Sequence, residues 1–213
     1  MKPKRDSWRT RNASSGLSRR GFLTHCAACT VGFFCARCST ATRESPTIPN
    51  QHGTDTSCTA TASNIEGPFF VADIPIRHSL DLYGDEGQPL LLQGLVRDAS
   101  CSPIIGATVI IWHADPKGNY DLTTNERRYY GQTATNKDGT YQFKTLTPGR
   151  YLNGAQFRPA HIHVKVLRGG TEVLTTQIYF RGDPFLASDP FVVDSLVLDQ
   201  APQGNINFDI NIS

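Results

Sequence analysis

The stretch 205–212 reads NINFDINI, and its alternation decides the fold class. Every second residue is large and apolar, and polar residues fill the places between them. In a β-strand alternate side chains point to opposite faces, so this pattern is typical of a strand that buries one face. The apolar face consists of Ile206, Phe208, Ile210 and Ile212.

Similar short runs recur along the chain from residue 90 onward, separated by Gly, Pro, Asn and Asp. No stretch of comparable length has a helical period. Many short strands with turn signals between them indicate an all-β fold, and we expect an antiparallel β-sandwich. The turn signals include Asp138-Gly139 and Pro148-Gly149, and a long polar loop follows Ala114. The predicted strands are 90–98, 107–114, 131–135, 140–145, 161–168, 173–180, 191–198 and 205–212.

The first part of the chain differs in composition from the rest. Residues 1–43 hold nine Lys/Arg and one acid, and Arg19-Arg20 precedes the apolar pair Phe22-Leu23. A basic start, a modest apolar run and small residues are typical of an export signal, here of the twin-arginine kind. The apolar run 21–35 is shorter than a membrane span, so we expect no permanent transmembrane helix. The interpretation is an export signal at 1–41, an irregular lead-in at 42–65 and the β-sandwich at 66–213, in a periplasmic or extracellular protein.

The six cysteines fall into two groups. Four lie in the predicted signal as two CxxC pairs separated by only five residues, too close for the usual zinc ribbon. The other two, Cys58 and Cys101, would reach an oxidising compartment after export. A disulfide between them is the hypothesis, and two buried free thiols are the alternative.

The charge balance excludes one class of partner. The overall pI of about 8.2 arises from the predicted signal, and acids outnumber bases in the remaining chain. Nucleic-acid binding is therefore not expected.

The stretch 158–166, RPAHIHVKV, contains the residues with most chemical interest. In the predicted strand His161 and His163 share one face, which looks out, while Ile162 shares the core face with the valines that follow it. Two imidazoles on one face can begin a metal site, yet the same pattern occurs on plain exposed strands. Strand geometry alone leaves both readings open. His113 is interpreted as a sandwich residue outside any metal shell.

Six motifs in a fixed order resemble the intradiol ring-cleavage dioxygenase family. They are GPFF from residue 67, LQGLVRD from 92, PIIGATVIIWHADPKGNY from 103, YYGQTATNKDGTYQFKTLTPGRY from 129, RPAHIHVKV from 158 and TTQIYFRGD from 175. The resemblance implies a mononuclear nonheme Fe(III) site that opens catechol-type rings with O2 to muconate-type dicarboxylic acids. The implied iron ligands are Tyr120, Tyr151, His161 and His163.

The resemblance also implies three catalytic residues. Arg158 would stabilise negative charge on the substrate, Tyr151 would accept a substrate proton, and Gln177 would make a supporting polar contact. The ligand types suit the metal, because phenolate oxygen is a hard anionic donor that stabilises ferric iron.

Two other functions remain possible at this point. The segment DGTYQFKTLTPGRY also resembles noncatalytic transthyretin-like binding modules, in which the residue matching Tyr151 is simply packed. Alternatively, both histidines and a carboxylate could bind zinc or copper. The short connections between the tyrosine and histidine motifs leave the preferred catechol open, and the sequence does not determine the oligomeric state.

Overall fold

The computed structural model describes residues 58–201 and 204–213, so the predicted export signal lies outside the described part. Within it, no helix has the length and apolarity needed to cross a membrane. The strands are β1 (Pro89–Arg97), β2 (Thr108–Trp112), β3 (Tyr130–Ala134), β4 (Thr140–Leu146), β5 (Tyr151–Asn153), β6 (Gln156–Arg158), β7 (His161–Arg168), β8 (Thr171–Phe180), β9 (Val197–Leu198), β10 (Asn205–Asn207) and β11 (Ile210–Asn211). Two short 3-10 turns lie at Leu186–Ser188 and Asp194–Leu196.

The strands form two larger sheets around one apolar core, which confirms the all-β sandwich. One sheet has the order β3-β2-β7-β8-β9, and the other has β10-β1-β11 with β4 also paired to β1. Alternate residues of both sheets, such as Leu92, Phe143, Ile111 and Ile162, are fully buried in the same cluster. The long ladders are antiparallel as expected, for example β1 with β4 and β7 with β8. The sheets are mixed at their short strands, because β9 pairs in parallel with β8, and β10 and β11 pair in parallel with β1.

The opening stretch 205–212 buries its alternate residues as predicted, but it forms two strands instead of one. At the break, Leu95 N donates to the Asp209 carboxylate at 3.0 Å. Gly94 permits this approach, since a Cβ there would lie 2.0 Å from Phe208 O. A side-chain acceptor thus replaces a backbone carbonyl in the ladder.

The predicted strand 191–198 is mostly wrong, since only Val197–Leu198 is a strand. The Asp189 carboxylate accepts the Phe191 N–H at 2.9 Å, and Leu196 N donates to Val193 O at 2.9 Å. These local hydrogen bonds produce turns where apolar alternation indicated a strand. Conversely, the antiparallel hairpin β5–β6 lies where the sequence indicated only a loop.

Residues 58–71, here called the cover segment, have no regular strand or helix, as predicted for the lead-in up to residue 65. Cys58 and Cys101 form a disulfide with an S–S distance of 2.08 Å, in agreement with the hypothesis. The segment then crosses β8, where Asn64 N donates to Thr175 O at 2.9 Å and Gln177 Nε2 donates to Ile65 O at 2.7 Å.

The expectation that one face of β7 is exposed is wrong, because the cover segment lies over that face. On that face His161, His163 and Lys165 are all buried. Lys165 forms salt bridges with Glu66 and Glu172, and its Nζ lies 4.0 Å from the centre of the Phe70 ring. Both faces of β7 are therefore covered, one by the second sheet and the other by the cover segment.

Candidate metal centre

The two histidines lie in the middle of a sheet. By register His163 is opposite Trp112 of β2 on one side and Gln177 of β8 on the other. Its imidazole stacks on the Trp112 ring at 4.7 Å. Neither of its ring nitrogens has a hydrogen-bond partner of normal geometry among the described residues. A buried imidazole without a partner has lone-pair capacity that a metal ion would use.

His161 is held in one orientation by the chain before it. Its Nδ1 lies 2.7 Å from Pro159 O, which fixes Nδ1 as the donor and leaves Nε2 as the acceptor. Burial, with the nearby Arg158 charge, lowers the pKa of His161 to about 3. Burial and the neighbouring His161 hold the pKa of His163 well below its usual value. Both rings are therefore neutral, the state in which imidazole binds metals.

Tyr120 lies in a loop and Tyr151 is the first residue of β5, and glycines bring these two segments together. A Cβ on Gly118 would lie 2.2 Å from Arg150 O, and one on Gly149 would lie 2.5 Å from Gly118 N. Gly118 also has φ of +88°, a conformation that favours glycine. Gly149 N donates to Asp115 O at 2.9 Å. This backbone contact brings Tyr120 and Tyr151 together.

His113 supports the base of the first tyrosine loop. Its Nδ1 lies 2.7 Å from Ala114 O, and its Nε2 lies 2.8 Å from Thr145 Oγ1. Both nitrogens are thus occupied, in agreement with its interpretation as a sandwich residue. Burial lowers its pKa to about 4.

The four predicted ligand residues converge. The ring centres are 5.5 Å apart for Tyr120 and Tyr151, 5.6 Å for Tyr151 and His161, and 4.8 Å for the two histidines. Tyr120 Oη lies 3.5 Å from His161 Nε2. Burial raises the pKa of both phenols, so each holds its proton until a cation displaces it.

Arg158 and Gln177, the other predicted residues, adjoin this cluster. Arg158 Nη1 donates to Tyr151 Oη at 3.3 Å and lies 3.4 Å from His161 Nε2. Its Nη2 donates to Gln177 Oε1 at 3.1 Å. Burial alone would lower the pKa of Arg158, but hydrogen bonds to Asp189 and Tyr151 raise it, so the guanidinium stays charged.

Sequence reasoning missed four supporting residues. Asp189 accepts from Arg158 Nε at 2.7 Å, and Tyr179 Oη accepts from Arg158 Nη2 at 3.2 Å. Asp183 Oδ2 accepts from Arg150 Nε at 2.7 Å and from Ala160 N at 3.1 Å. The Phe69 ring stacks on Tyr120 at 4.2 Å. Their sequence signals are two Asp-Pro dipeptides after β8, the i+2 spacing of Tyr179 from Gln177, and the GPFF motif.

The donor set fits ferric iron. Two neutral imidazoles and two phenols that can lose their protons provide the hard anionic oxygens this ion favours. Tyr151 has its hydroxyl on Arg158, so it is not simply packed as in a binding module. Within residues 58–201 and 204–213, no three or more His, Cys, Asp or Glu side chains are grouped to hold a metal.

Comparisons with known proteins agree with this site. A family model described as "Dioxygenase" (Dioxygenase_C) matches residues 65–204. The chain is 33% identical over 153 residues to chlorocatechol 1,2-dioxygenase of Rhodococcus opacus, covering 61% of this chain and 60% of that protein. It is 34% identical over 149 residues to catechol 1,2-dioxygenase 2 of Acinetobacter lwoffii, covering 61% and 54%. The chain thus spans about 60% or less of the length of these two relatives.

Solved structures show the same relationship. The dioxygenase domain of a dioxygenase carbohydrate-binding protein fusion from Streptomyces sp. SirexAA-E matches with a TM-score of 0.64 and 35% identity, over 72% of this chain and 97% of that one. Chlorocatechol 1,2-dioxygenase from Pseudomonas putida matches with a TM-score of 0.66 and 28% identity, over 71% of each chain. The chain belongs to the intradiol ring-cleavage dioxygenase family, whose members generally use nonheme iron.

Proposed function

We propose that this protein is a nonheme Fe(III) dioxygenase that cleaves catechol-type rings between the two hydroxylated carbons. Both atoms of O2 enter the product, so that catechol and O2 together have the composition of the resulting muconate-type dicarboxylic acid. The observation that carries the proposal is the convergence of Tyr120, Tyr151, His161 and His163 beside the charged Arg158. Ferric iron bound by these four residues would supply the electron transfer that makes a catechol ring carbon reactive toward O2.

Tyr151 and Arg158 would handle the protons and charge of the substrate. A catechol must lose hydroxyl protons to bind as an anion, and Tyr151, once a bound cation has displaced its own proton, would accept one of them at its phenolate oxygen. Arg158 Nη1, 3.3 Å from that oxygen, stabilises negative charge there and on the adjacent substrate ring. Gln177 Oε1 accepts a hydrogen bond from Nη2 of Arg158, and this bond keeps the guanidinium oriented.

The surroundings of the site would keep the guanidinium aligned and water out. The salt bridge between Arg158 and Asp189 has exposed side-chain fractions of 5% and 1%, so its geometry is fixed by packing. The Phe69 ring covers one face of Tyr120, and its edge meets Tyr151 at 5.5 Å. Charges in such a dry, preorganised site act more strongly than they would in water.

The proposal includes export to the periplasm or the extracellular space. The twin-arginine pattern at the start of the chain supports it, and so does the disulfide between Cys58 and Cys101, because disulfides persist in oxidising compartments. Sequencing the N-terminus of the protein recovered outside the cytoplasm tests this. A full-length chain found only in the cytoplasm would contradict export.

The reaction is tested with catechol and oxygen-18 gas on the iron-loaded protein. The expected product is a colourless dicarboxylic acid that contains two labelled oxygen atoms. A yellow semialdehyde would indicate cleavage outside the two hydroxyl groups and would contradict the proposal, as would no turnover by protein that holds iron. Arg158→Gln should lower kcat/KM by about 100-fold or more, as loss of a preorganised charge does. Arg181→Gln, at a largely exposed side chain, is the matched control and should retain activity.

A further inference from the structure

One face of the hairpin β5–β6 continues past the candidate metal centre. Tyr151 is opposite Arg158, and Asn153 is opposite Gln156, with one pair of residues between them. Alternate residues share a face, so Asn153 and Gln156 lie on the side of the hairpin that carries Tyr151 and Arg158. A cleft of about 80 Å³ separates this face from residues 189–191. We call it the Asn153 cleft.

The far wall of the Asn153 cleft includes the aromatic ring of Phe191. The Phe191 ring centre lies 5.1 Å from the Arg158 guanidinium carbon. The backbone carbonyl of Phe191 accepts hydrogen bonds from Asn64 Nδ2 at 2.8 Å and from Tyr179 Oη at 3.2 Å. These bonds fix the backbone of Phe191, and its flat ring is a suitable wall for part of an aromatic ligand.

The polar side chains of the Asn153 cleft are neutral, except for Arg158 and Asp189, which form a salt bridge with each other. Both are almost fully buried, and the Nη atoms of Arg158 donate to Tyr151 and Gln177, so the cleft itself holds no unpaired charge. The Gln156 amide nitrogen donates to Ser188 O, which leaves its oxygen as an acceptor. The exposed Asn153 amide makes no side-chain hydrogen bond among the described residues, so it presents both a donor and an acceptor.

The position of Asn153 matches the reach of a ring substituent. Two residues of a strand span about 7 Å, so Asn153 lies about that far along the hairpin from Tyr151. This is roughly the extent of a six-membered ring with one short substituent. Arg158 lines the cleft and also contacts Tyr151 and His161, so a catechol with its oxygens at the four converging residues can direct a substituent toward the cleft.

We propose that the Asn153 cleft binds the ring substituent of the substrate, and that it selects neutral hydrogen-bonding substituents over ionised carboxylates. This rests on the proposed function. Asn153 and Gln156 provide partners for a carbonyl, amide or hydroxyl group. An ionised carboxylate would lose water there without gaining a counter-ion, which is unfavourable.

The test compares 3,4-dihydroxybenzamide with 3,4-dihydroxybenzoate, which have nearly the same shape and differ in charge. Anaerobic titration of the iron-loaded protein measures the Kd of each without turnover. The amide should bind about 10-fold more tightly, since leaving a charged group unpaired costs more than a hydrogen-bonded neutral one. Equal or tighter binding of the benzoate would overturn the inference.

A pair of variants on the hairpin assigns the effect to Asn153. Asn153→Leu should lower the affinity for the amide, relative to catechol, by about fivefold, the effect of one neutral hydrogen bond. Leu152→Ala, on the opposite face of the same strand, should leave that ratio unchanged. A folded Asn153→Leu protein with the wild-type ratio would overturn the inference. If that variant result were found while the protein still cleaved catechol, the inference would fail and the proposed function would not. If the protein neither bound nor cleaved any catechol, the inference and the proposed function would both fail.

Discussion

The candidate metal centre has two halves that the fold builds in different ways. His161 and His163 lie on the central strand β7, paired to β2 and β8 on either side. Tyr120 lies in a loop and Tyr151 begins the short hairpin strand β5, and these two segments meet where Gly118 touches Arg150. The histidine half is part of the sandwich itself, whereas the tyrosine half depends on contacts between loops. Changes to the loops should therefore separate metal binding from folding more readily than changes to β7.

Gly118→Ala is the largest expected perturbation of the tyrosine half. The new Cβ would overlap Arg150 O at 2.2 Å in a residue with φ of +88°. The overlap and the backbone strain together should lower the free energy of unfolding by about 4 kcal/mol. Gly154→Ala is the matched control, because Gly154 has φ of +64° and nothing within 4 Å of the new Cβ. It should cost only about 1 kcal/mol, and equal losses in urea unfolding would contradict the role of the contact.

The disulfide tests the histidine half, because it fixes the start of the cover segment. Replacing Cys58 and Cys101 together by Ala should lower the free energy of unfolding by about 3 kcal/mol, since the bond closes a long loop. The sequence separation is 43 residues. The iron-loaded variant should keep the wild-type visible spectrum at 25 °C, because the histidines remain held by β7. A lost spectrum in folded protein would show that β7 alone does not position them.

Asp183 joins the segment before Tyr151 to the segment before His161. It accepts hydrogen bonds from Arg150, before Tyr151, and from Ala160, before His161, and its side chain is 2% exposed. Asp183→Ala should reduce the free energy of unfolding by about 2.5 kcal/mol, the range for buried charge-assisted hydrogen bonds. Asp199→Ala removes a similar pair with Arg181, but Asp199 is 78% exposed. That control should change stability by less than about 1 kcal/mol.

The base of the first tyrosine loop should be sensitive to acid through His113. Its pKa is lowered to about 4 by burial, so the unfolded chain takes up a proton at a higher pH than the folded one. The stabilising contribution is complete above about pH 7 and is lost as the pH falls from about 6.5 toward 4. Between pH 7 and pH 5 the loss should be about 2 kcal/mol. Urea unfolding of His113→Gln should show a pH dependence that is smaller by this amount, and an unchanged slope would contradict it.

The two halves of the metal centre differ in how far the sequence could predict them. Period-two alternation in RPAHIHVKV depends on backbone geometry alone, so it correctly paired His161 with His163 and put Ile162 in the core. It could not show that the cover segment buries the histidines, because that contact joins residues about 100 positions apart, such as Glu66 and Lys165.

The tyrosine half was predictable only through the order of motifs. No local pattern shows that Gly118 and Gly149 will touch, or that Asp183 and Asp189 will fold back on Arg150 and Arg158. The strand predicted at 191–198 was wrong for a similar reason, because the Asp189 carboxylate accepts a hydrogen bond from the Phe191 N–H. Apolar alternation indicates which side chains are buried, but a hydrogen bond from a side chain to the backbone can still form a turn in place of a strand.

The visible spectrum of the iron-loaded protein tests the central claim, that both halves together hold ferric iron. Tyrosinate bound to ferric iron should give a wine-red colour with a broad band, and Tyr120→Phe and Tyr151→Phe should each shift or weaken that band. Tyr130→Phe is the matched control, because Tyr130 is buried nearby but donates its hydroxyl to Phe69 O at 2.8 Å. It should keep the wild-type band. A colourless protein that contains iron, or a Tyr151→Phe spectrum identical to wild type, would contradict the claim.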